Sequence, residues 1–311
     1  MSENIFTLTL NPAIDAYCTA EKIEPVIKIR TGPMRYDAGG GGINVAHVLN
    51  RLGSDVCACF LAGGLTGQLL ENLLEEADLP MLSLPIAGST RISQTVHERS
   101  SQQDFRFVPE GPMVQQREWQ AALDSISISN FSILVASGSI APGVPEDFYA
   151  RLLRIMKAKG ARMILDCTGP ALAHAVREGG LWMIKPSIDE FEVLIGRPMA
   201  GPEEYIKEAH SLIETGAATI IAITMGSDGA ILVHEGGALY RKAPAVEVVS
   251  TVGAGDSFVA GMTHRLAQGW MPERAFLYGM ATGTAAVLTP GTEICRIEDV
   301  ERLFSAIEAM A

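Results

Sequence analysis

Ser250-Thr251-Val252-Gly253-Ala254-Gly255-Asp256-Ser257-Phe258 is a run of small residues that opens a predicted helix over 256–268 and delivers one carboxylate at its start. Glycines at such a turn let backbone N–H groups face an anion, and the dipole of the following helix favours negative charge at its N-terminus. The loop therefore reads as a phosphate site. Taken alone it reads equally as a tight turn carrying an acidic residue. The carboxylate adds information, because beside a phosphate nest it repels the anion that the nest holds. As a base it has a use there, since it can take the proton of a hydroxyl that attacks a phosphoryl group, as a kinase for alcohols or sugars requires.

A second glycine cluster, Gly39-Gly40-Gly41-Gly42, precedes Ile43-Asn44-Val45-Ala46, and the apolar positions Ile43, Ala46, Val48, Leu49 and Leu52 suit a helix over 43–52 that stops at Gly53. A ligand the size of a phosphate or a sugar can approach that backbone closely. Neither cluster reads G-x-G-x-x-G, and the chain contains no Gly-Lys pair. A Rossmann dinucleotide fold and a Walker-type loop are both disfavoured on that ground.

Outward from these loops, short apolar runs alternate with helix-period segments. Strands are predicted over 6–10, 56–61, 133–137, 163–166, 182–185, 219–224 and 230–234. Further helices are predicted over 66–77, 115–127, 146–159, 188–195, 203–215 and 272–287. The alternation implies an α/β fold with a mostly parallel sheet and helices on both faces. Ligands in such folds sit beyond the carboxyl ends of the strands. The residues just past those ends, among them Asn11, Ser137, Asp166, Lys185 and Thr224, are small or polar. Residues 26–36 and 91–108 lack a helical period and read as β-segments projecting from the main body. They carry Lys28, Arg30, Arg91 and Arg106, which read singly as solvated charges and together as a basic pocket.

Such a pocket matters because the chain is acidic: 24 Lys and Arg against 36 Asp and Glu give a formal charge of −12. Nucleic acid and anionic membranes are thereby disfavoured as partners. At 311 residues with 48% hydrophobic and 19% charged residues the chain has the composition of a globular protein with a substantial core. Five scattered cysteines without a CxxC pair fit a reduced, cytoplasmic compartment. Cys57 and Cys59 fall on one face of a strand and read as core positions rather than metal ligands. The apolar run at the N-terminus is broken by Asn11-Pro12, so no signal peptide is expected, and no uncharged stretch is long enough for a membrane span.

The chain resembles the PfkB family of carbohydrate kinases, within the ribokinase-like superfamily. The resemblance runs over nearly the whole length. It is carried by Asn11-Pro12-Ala13-Ile14-Asp15, the run from Gly39 to Ala46, Gly138-Ser139-Ile140-Ala141-Pro142-Gly143, Lys185-Pro186-x-x-x-Glu190, Thr224-x-Gly226-x-x-Gly229 and Thr251 to Ser257. Four glycines from Gly39, in place of a GGKG pattern, together with 105–109 and Gly291 to Cys295, are most similar to the minor, PfkB-type 6-phosphofructokinases.

The resemblance implies one ribokinase-like domain over 1–311 with a small β-sheet lid formed by 16–37 and 90–110. It implies ATP-dependent phosphorylation of a ketohexose monophosphate, fructose 6-phosphate to fructose 1,6-bisphosphate first of all. Tagatose-6-phosphate kinase and 1-phosphofructokinase activities stand as alternatives, and a sugar-phosphate sensor without turnover as an alternative of another class. By position, Asp15, Gly40, Gly41 and Asn44 would hold sugar hydroxyls and Ser139 would help fix the substrate. Lys28, Arg30, Arg91 and Arg106 would take its existing phosphate. Lys185, Ser187, Thr224, Gly226 and Gly229 would line the ATP site, and Glu190 would order water around Mg²⁺. Gly253, Ala254 and Gly255 would form the anion hole, with Asp256 as the base. The lid would pair with its copy in a homodimer. Two positions depart from the family pattern: Ser187, where asparagine is usual, is expected to weaken magnesium binding or rate, and Ala141, where proline is frequent, to loosen a loop.

Overall fold

The computed structural model of the chain describes residues 3–291 and 293–309; Thr292, in the motif from Gly291 to Cys295, lies outside the described residues. The chain begins with β1 (Ile5–Thr9), β2 (Ala13–Ala20), β3 (Arg35–Gly39), α1 (Gly41–Arg51), β4 (Val56–Ala62), α2 (Gly64–Glu76) and β5 (Met81–Pro85). It continues through β6 (Arg91–Glu98), β7 (Gln103–Phe107), α3 (Gln116–Ile128), β8 (Ile133–Ser137), α4 (Phe148–Lys159), β9 (Arg162–Asp166) and α5 (Gly169–Glu178). Next come β10 (Leu181–Ile184), α6 (Ile188–Ile195), α7 (Pro202–Glu214), β11 (Ala218–Thr224), β12 (Ala230–His234) and β13 (Gly237–Arg241). The last three elements are α8 (Ala254–Ala267), α9 (Pro272–Ala286) and α10 (Ile297–Ala309).

Among the described residues, nine strands form the main sheet in the order β13-β12-β11-β10-β9-β8-β1-β4-β5. Neighbours from β5 to β11 pair in parallel, and β12 and β13 add an antiparallel edge. The strand period of two feeds two cores. Ile133 and Val135 of β8 join α1, α2, α8, α9 and α10 on one face, while Leu134 and Ala136 join α3 to α7 on the other. Both faces are thus covered, which is why the central strands read as continuous apolar runs.

This strand order brings distant residues together. β11, β10, β9, β8 and β1 are neighbours, so Thr224, Lys185, Asp166, Ser137 and Asn11 form a row along the carboxyl edge, at the strand spacing of about 4.8 Å. The glycine-rich turn before α1 and the one before α8 open onto the same edge.

A separate four-stranded sheet has the order β3-β2-β6-β7, with β2 and β6 parallel and the outer pairs antiparallel. It differs from the sequence expectation in one stretch. The expected β-segment over 26–36 is strand only at its end; β2 and β3 carry the pairing, and Lys28 and Arg30 lie exposed in the connection between them. Val26, at φ +72°, and Pro25 and Pro33 nearby break a regular ladder there.

Candidate active site

The N-terminus of α8 is built as the sequence requires. Gly253, at φ +74°, takes the left-handed conformation at the N-cap, and no side chain caps the helix. The amide groups of the first turn, including those of Gly255 and Asp256, have no intrahelical acceptor by helix geometry, so they form a positive nest.

Asp256 sits in that first turn with both carboxylate oxygens engaged. Asn44 Nδ2, from the first turn of α1, donates to Oδ2 at 2.8 Å, and Ser137 Oγ, at the end of β8, donates to Oδ1 at 3.3 Å. Burial pushes the Asp256 carboxyl up to about 6, and the nearby Asp166 charge adds to the rise. The hydrogen bonds from Asn44 and Ser137 and the Lys185 charge oppose it. A half-buried carboxylate poised near neutral pH suits a general base.

The second glycine cluster makes this convergence possible. Gly40 adopts φ +117°, and a Cβ on Gly41 would collide with Ser137 Oγ and lie 2.9 Å from Gly138 N. The start of α1 therefore lies directly on the end of β8, which carries Asn44 to Asp256.

Behind Asp256, Lys185 is 6% exposed and its Nζ lies 3.1 Å from Asp166 Oδ1. Burial works against the Lys185 ammonium, but Asp166, Glu190 and Asp256 outweigh it and hold lysine above its ordinary range. Burial likewise raises Asp166, against the pull of Lys185. Ser187 and Glu190 form a capping box at the start of α6: Ser187 N–H donates to Glu190 Oε2 at 2.8 Å, and Glu190 N–H donates to Ser187 Oγ at 3.3 Å.

On the nest's far side opens a cavity of about 660 Å³, a volume usual for small-molecule sites. Its walls include Val246, Phe258, Met280 and Val287, and Thr224, Gly226 and Gly229 lie at one side with Ala254 and Gly255 at the mouth. An apolar chamber that ends at an amide nest accepts a flat apolar body with an anionic tail. Gly229, at φ +112°, is pressed onto the carbonyl of Arg241, so no side chain fits there.

The small sheet joins the site through the glycine turn before α1, where Ala13 of β2 pairs with Gly39 and Asp15 with Asp37. Burial raises the Asp15 carboxyl to about 6; the Arg106 charge opposes this, Asp37 adds to it, and Arg91 opposes it. The Arg91 guanidinium is fixed by donation to Pro109 O at 2.8 Å and to Asn11 O at 2.9 Å. Ser139 is exposed at the edge, 3.3 Å from Asn11 Nδ2. Asp15, Arg91, Arg106 and Ser139 are thus joined to one another through charge and through Asn11, and Ser187 bridges to Thr224 beside Lys185, Glu190 and the cavity glycines Gly226 and Gly229. Among the described residues, Lys28 and Arg30 have no hydrogen bond or ion pair to either group.

The pfkB family of carbohydrate kinases matches residues 6–299. The chain belongs to that family. The ATP-dependent 6-phosphofructokinase isozyme 2 of Mycobacterium tuberculosis is 39% identical over 302 residues, which cover 96% of this chain and 88% of the relative. Its namesake in Escherichia coli K12 is 34% identical, with 97% and 98% covered. The crystal structure of phosphofructokinase-2 from Escherichia coli in complex with potassium superposes with a TM-score of 0.95 at 33% identity, over 98% of this chain and 99% of that one. This PfkB kinase therefore has a ribokinase-like fold and is a phosphotransferase acting on a sugar hydroxyl.

Two contributors to the PfkB site were visible in the sequence only as strand ends. Ser137 and Asp166 were placed at the carboxyl edge by the strand pattern, but their roles depend on β8, β9 and β10 being neighbours in the sheet. The apolar residues of the cavity, such as Val246 and Val287, carry no motif that marks them as ligand-facing.

Proposed function

We propose that this PfkB kinase transfers the γ-phosphoryl group of ATP to the free primary hydroxyl of a ketohexose monophosphate, converting fructose 6-phosphate to fructose 1,6-bisphosphate. The observation that carries this reading is the place of Asp256, held by Asn44 at an amide nest whose Gly255 lines an apolar chamber, while the turn that carries Asn44 joins the strand bearing Asp15 and its arginines. The similarity to 6-phosphofructokinases supports the same choice.

In this reading the cavity takes the adenine and ribose, and Gly253, Ala254 and Gly255 receive the transferred group through backbone N–H donors. Asp15, Gly40, Gly41, Asn44 and Ser139 orient the sugar. Asp256 accepts the proton of the attacking hydroxyl, and Lys185 offsets negative charge as ATP and the sugar phosphate come together. Glu190 fits a role toward magnesium: one oxygen is tied to Ser187 N–H and the other remains for water, and Mg²⁺ favours one or two carboxylates, waters and substrate phosphates. When bound, the ion would neutralise charge on the phosphates.

Arg91 and Arg106 would meet the substrate phosphate under the small sheet, which acts as the lid over segments 16–37 and 90–110. Lys28 and Arg30, exposed in the β2–β3 connection, would reach it only on lid movement or across a dimer. A homodimer through the lid is supported by apolar side chains that face outward there, including Tyr36, Ile92, Phe107 and Val108. A reducing cytoplasm is the proposed setting, in keeping with five free cysteines. Among the described residues no helix is long and apolar enough to cross a membrane.

A coupled ADP-release assay against fructose 6-phosphate, fructose 1-phosphate, tagatose 6-phosphate and the free sugars tests the reading. The highest kcat/KM is expected for fructose 6-phosphate. A preference for either other phosphate would reassign the substrate, and binding without ADP release would make the chain a sensor.

A further inference from the structure

Ser137 closes β8, and its hydroxyl lies between two carboxylates. Its Oγ is 3.3 Å from Asp256 Oδ1 and 3.3 Å from Asp166 Oδ2, and the residue is 1% exposed. A serine hydroxyl has one proton to donate, and an ionised carboxylate only accepts. Ser137 can therefore serve Asp256 or Asp166, but not both at once.

The surroundings fix this arrangement. Gly138 N–H donates to Asp166 O at 3.0 Å, locking the end of β8 to that of β9, and Gly41 packs against the Ser137 side chain. The oxygen stays in place while its proton turns. Asn44 holds Asp256 Oδ2 at 2.8 Å, so Oδ1, with the longer contact, is the more basic oxygen. Lys185 pairs with Asp166 Oδ1, and Glu190 lies near enough to both to act through its charge. Cys167, beside Asp166, is buried and pushed well above the ordinary thiol range, so it is neutral.

We propose that Ser137 is a positioning residue for phosphoryl transfer, turning its proton from Asp256 to Asp166 as Asp256 takes up the proton of the sugar hydroxyl. The inference rests on the reading of Asp256 as base. Before transfer, Ser137 donates to Oδ1 and stabilises the ionised carboxylate. In the step, the sugar O–H bond breaks and its proton goes to Asp256 Oδ1. The sugar oxygen forms the new bond to phosphorus, and the bond from the γ-phosphorus to the bridging oxygen breaks, its electron pair leaving on ADP. The protonated carboxyl is a poor acceptor, whereas Asp166 stays paired with the Lys185 ammonium, its Oδ1 3.1 Å from Nζ. The hydroxyl turns to Asp166 Oδ2, and its lone pair accepts the new Oδ1–H of Asp256. Ser137 gains and loses no proton, and Asp256 returns its proton to solvent when the products leave.

Ser137→Ala tests this by two readouts. The first is the pH profile of kcat. Removing a bond to the charged form raises the carboxyl pKa, so the acid limb is expected to move up by about half to one pH unit. At neutral pH kcat should fall about tenfold, with KM for ATP and sugar phosphate within about threefold. The second is a ¹³C NMR titration of the Asp256 carboxyl in substrate-free protein, assigned with Asp256→Asn. It should move up by a similar amount. An acid limb and a carboxyl titration that both stay in place would overturn the proposal, as would a fall in kcat and a rise in KM with the limb unmoved. The titration needs no turnover, so a chain inactive toward every sugar phosphate would refute the kinase reading while the NMR shift still decides the hydrogen bond.

Discussion

Ser187 and Glu190 hold one another by reciprocal backbone-to-side-chain hydrogen bonds at the start of α6, 2.8 Å in one direction and 3.3 Å in the other. The box places the Glu190 carboxylate at the helix N-terminus, facing Lys185 and Asp166. Serine caps a helix about as well as asparagine, so the departure from the family pattern keeps the part of the asparagine's work that orients Glu190. Ser187→Asn is therefore expected to leave the free Mg²⁺ needed for half-maximal rate within about threefold, against the sequence-based expectation of a weakened site. Ser187→Ala should lose about 1 kcal/mol of stability and raise the magnesium requirement about 10-fold or more, as Glu190 loses a partner. A magnesium titration at fixed MgATP separates the two variants.

Asp256→Asn keeps the shape of the side chain and removes its basicity. It should lower kcat by about 10²–10⁴ and leave both KM values within a few-fold. Near-wild-type turnover would remove Asp256 from the base role.

The same carboxyl makes stability depend on pH. Its folded value is about 6 against an ordinary 3.8, so between those values the native state binds more protons than the unfolded state. The stability this group contributes is full below about pH 3.8 and is lost as pH rises through 6. Above that, the buried charge is a cost of about 1–3 kcal/mol. Asp256→Asn should accordingly melt at a higher temperature than the wild type at pH 8, and the gap should close only as the pH falls below about 4. Catalysis runs the other way, with kcat falling as pH drops through about 6 because the base must be ionised.

Much of this was legible in the chain. The alternation of apolar runs and helical periods located the central strands, because strands buried on both faces are continuous apolar segments. Asp256 and Asn44 were legible through the glycines beside them. Five elements went unread. β5 is a five-residue edge strand that ends in Pro85. β2 contains Asp15 and Tyr17 within its apolar residues, and β13 is short and lies on the edge. α5 begins with Gly169-Pro170, which resembles a turn. α10 carries Val300, Leu303, Phe304 and Ile307 at helical spacing, so its period was readable. The pairing of Asp166 with Lys185 and the bridging by Ser137 were not readable, since they arise from the lateral order of three strands and no local pattern encodes that order.

The two arginines near Asp15 should separate when removed. Arg91 supplies donors to the carbonyls of Asn11 and Pro109, so Arg91→Ala is expected to cost about 1–3 kcal/mol of stability as well as substrate affinity. Arg106 acts on Asp15 by charge, from a strand exposed at that position. Arg106→Ala should raise KM for the sugar phosphate about tenfold, with KM for ATP and the melting temperature nearly unchanged. Equal effects on both KM values would place the substrate phosphate elsewhere.

Two glycine-to-alanine changes should part stability from catalysis. A Cβ on Gly41 would collide with Ser137 Oγ and lie within 2.9 Å of Gly138 N, and neither can move without parting α1 from β8. Gly41→Ala is expected to lower stability by about 1–3 kcal/mol and to disturb the Asn44–Asp256 bond, so that both melting temperature and kcat fall. A Cβ on Gly255 would come only within 3.5 Å of Lys185 Nζ, an ordinary contact, and the backbone there is not left-handed. On the proposed reading the methyl group, at the start of α8 beside the Lys185 ammonium, would intrude on the space meant for the transferred phosphoryl group. Gly255→Ala should therefore fold and melt like the wild type while kcat falls by about 10²-fold or more, the scale of losing an oxyanion donor. Thermal melts and steady-state kinetics on the same two preparations check the contrast, and full activity in Gly255→Ala would move the phosphoryl group away from this nest.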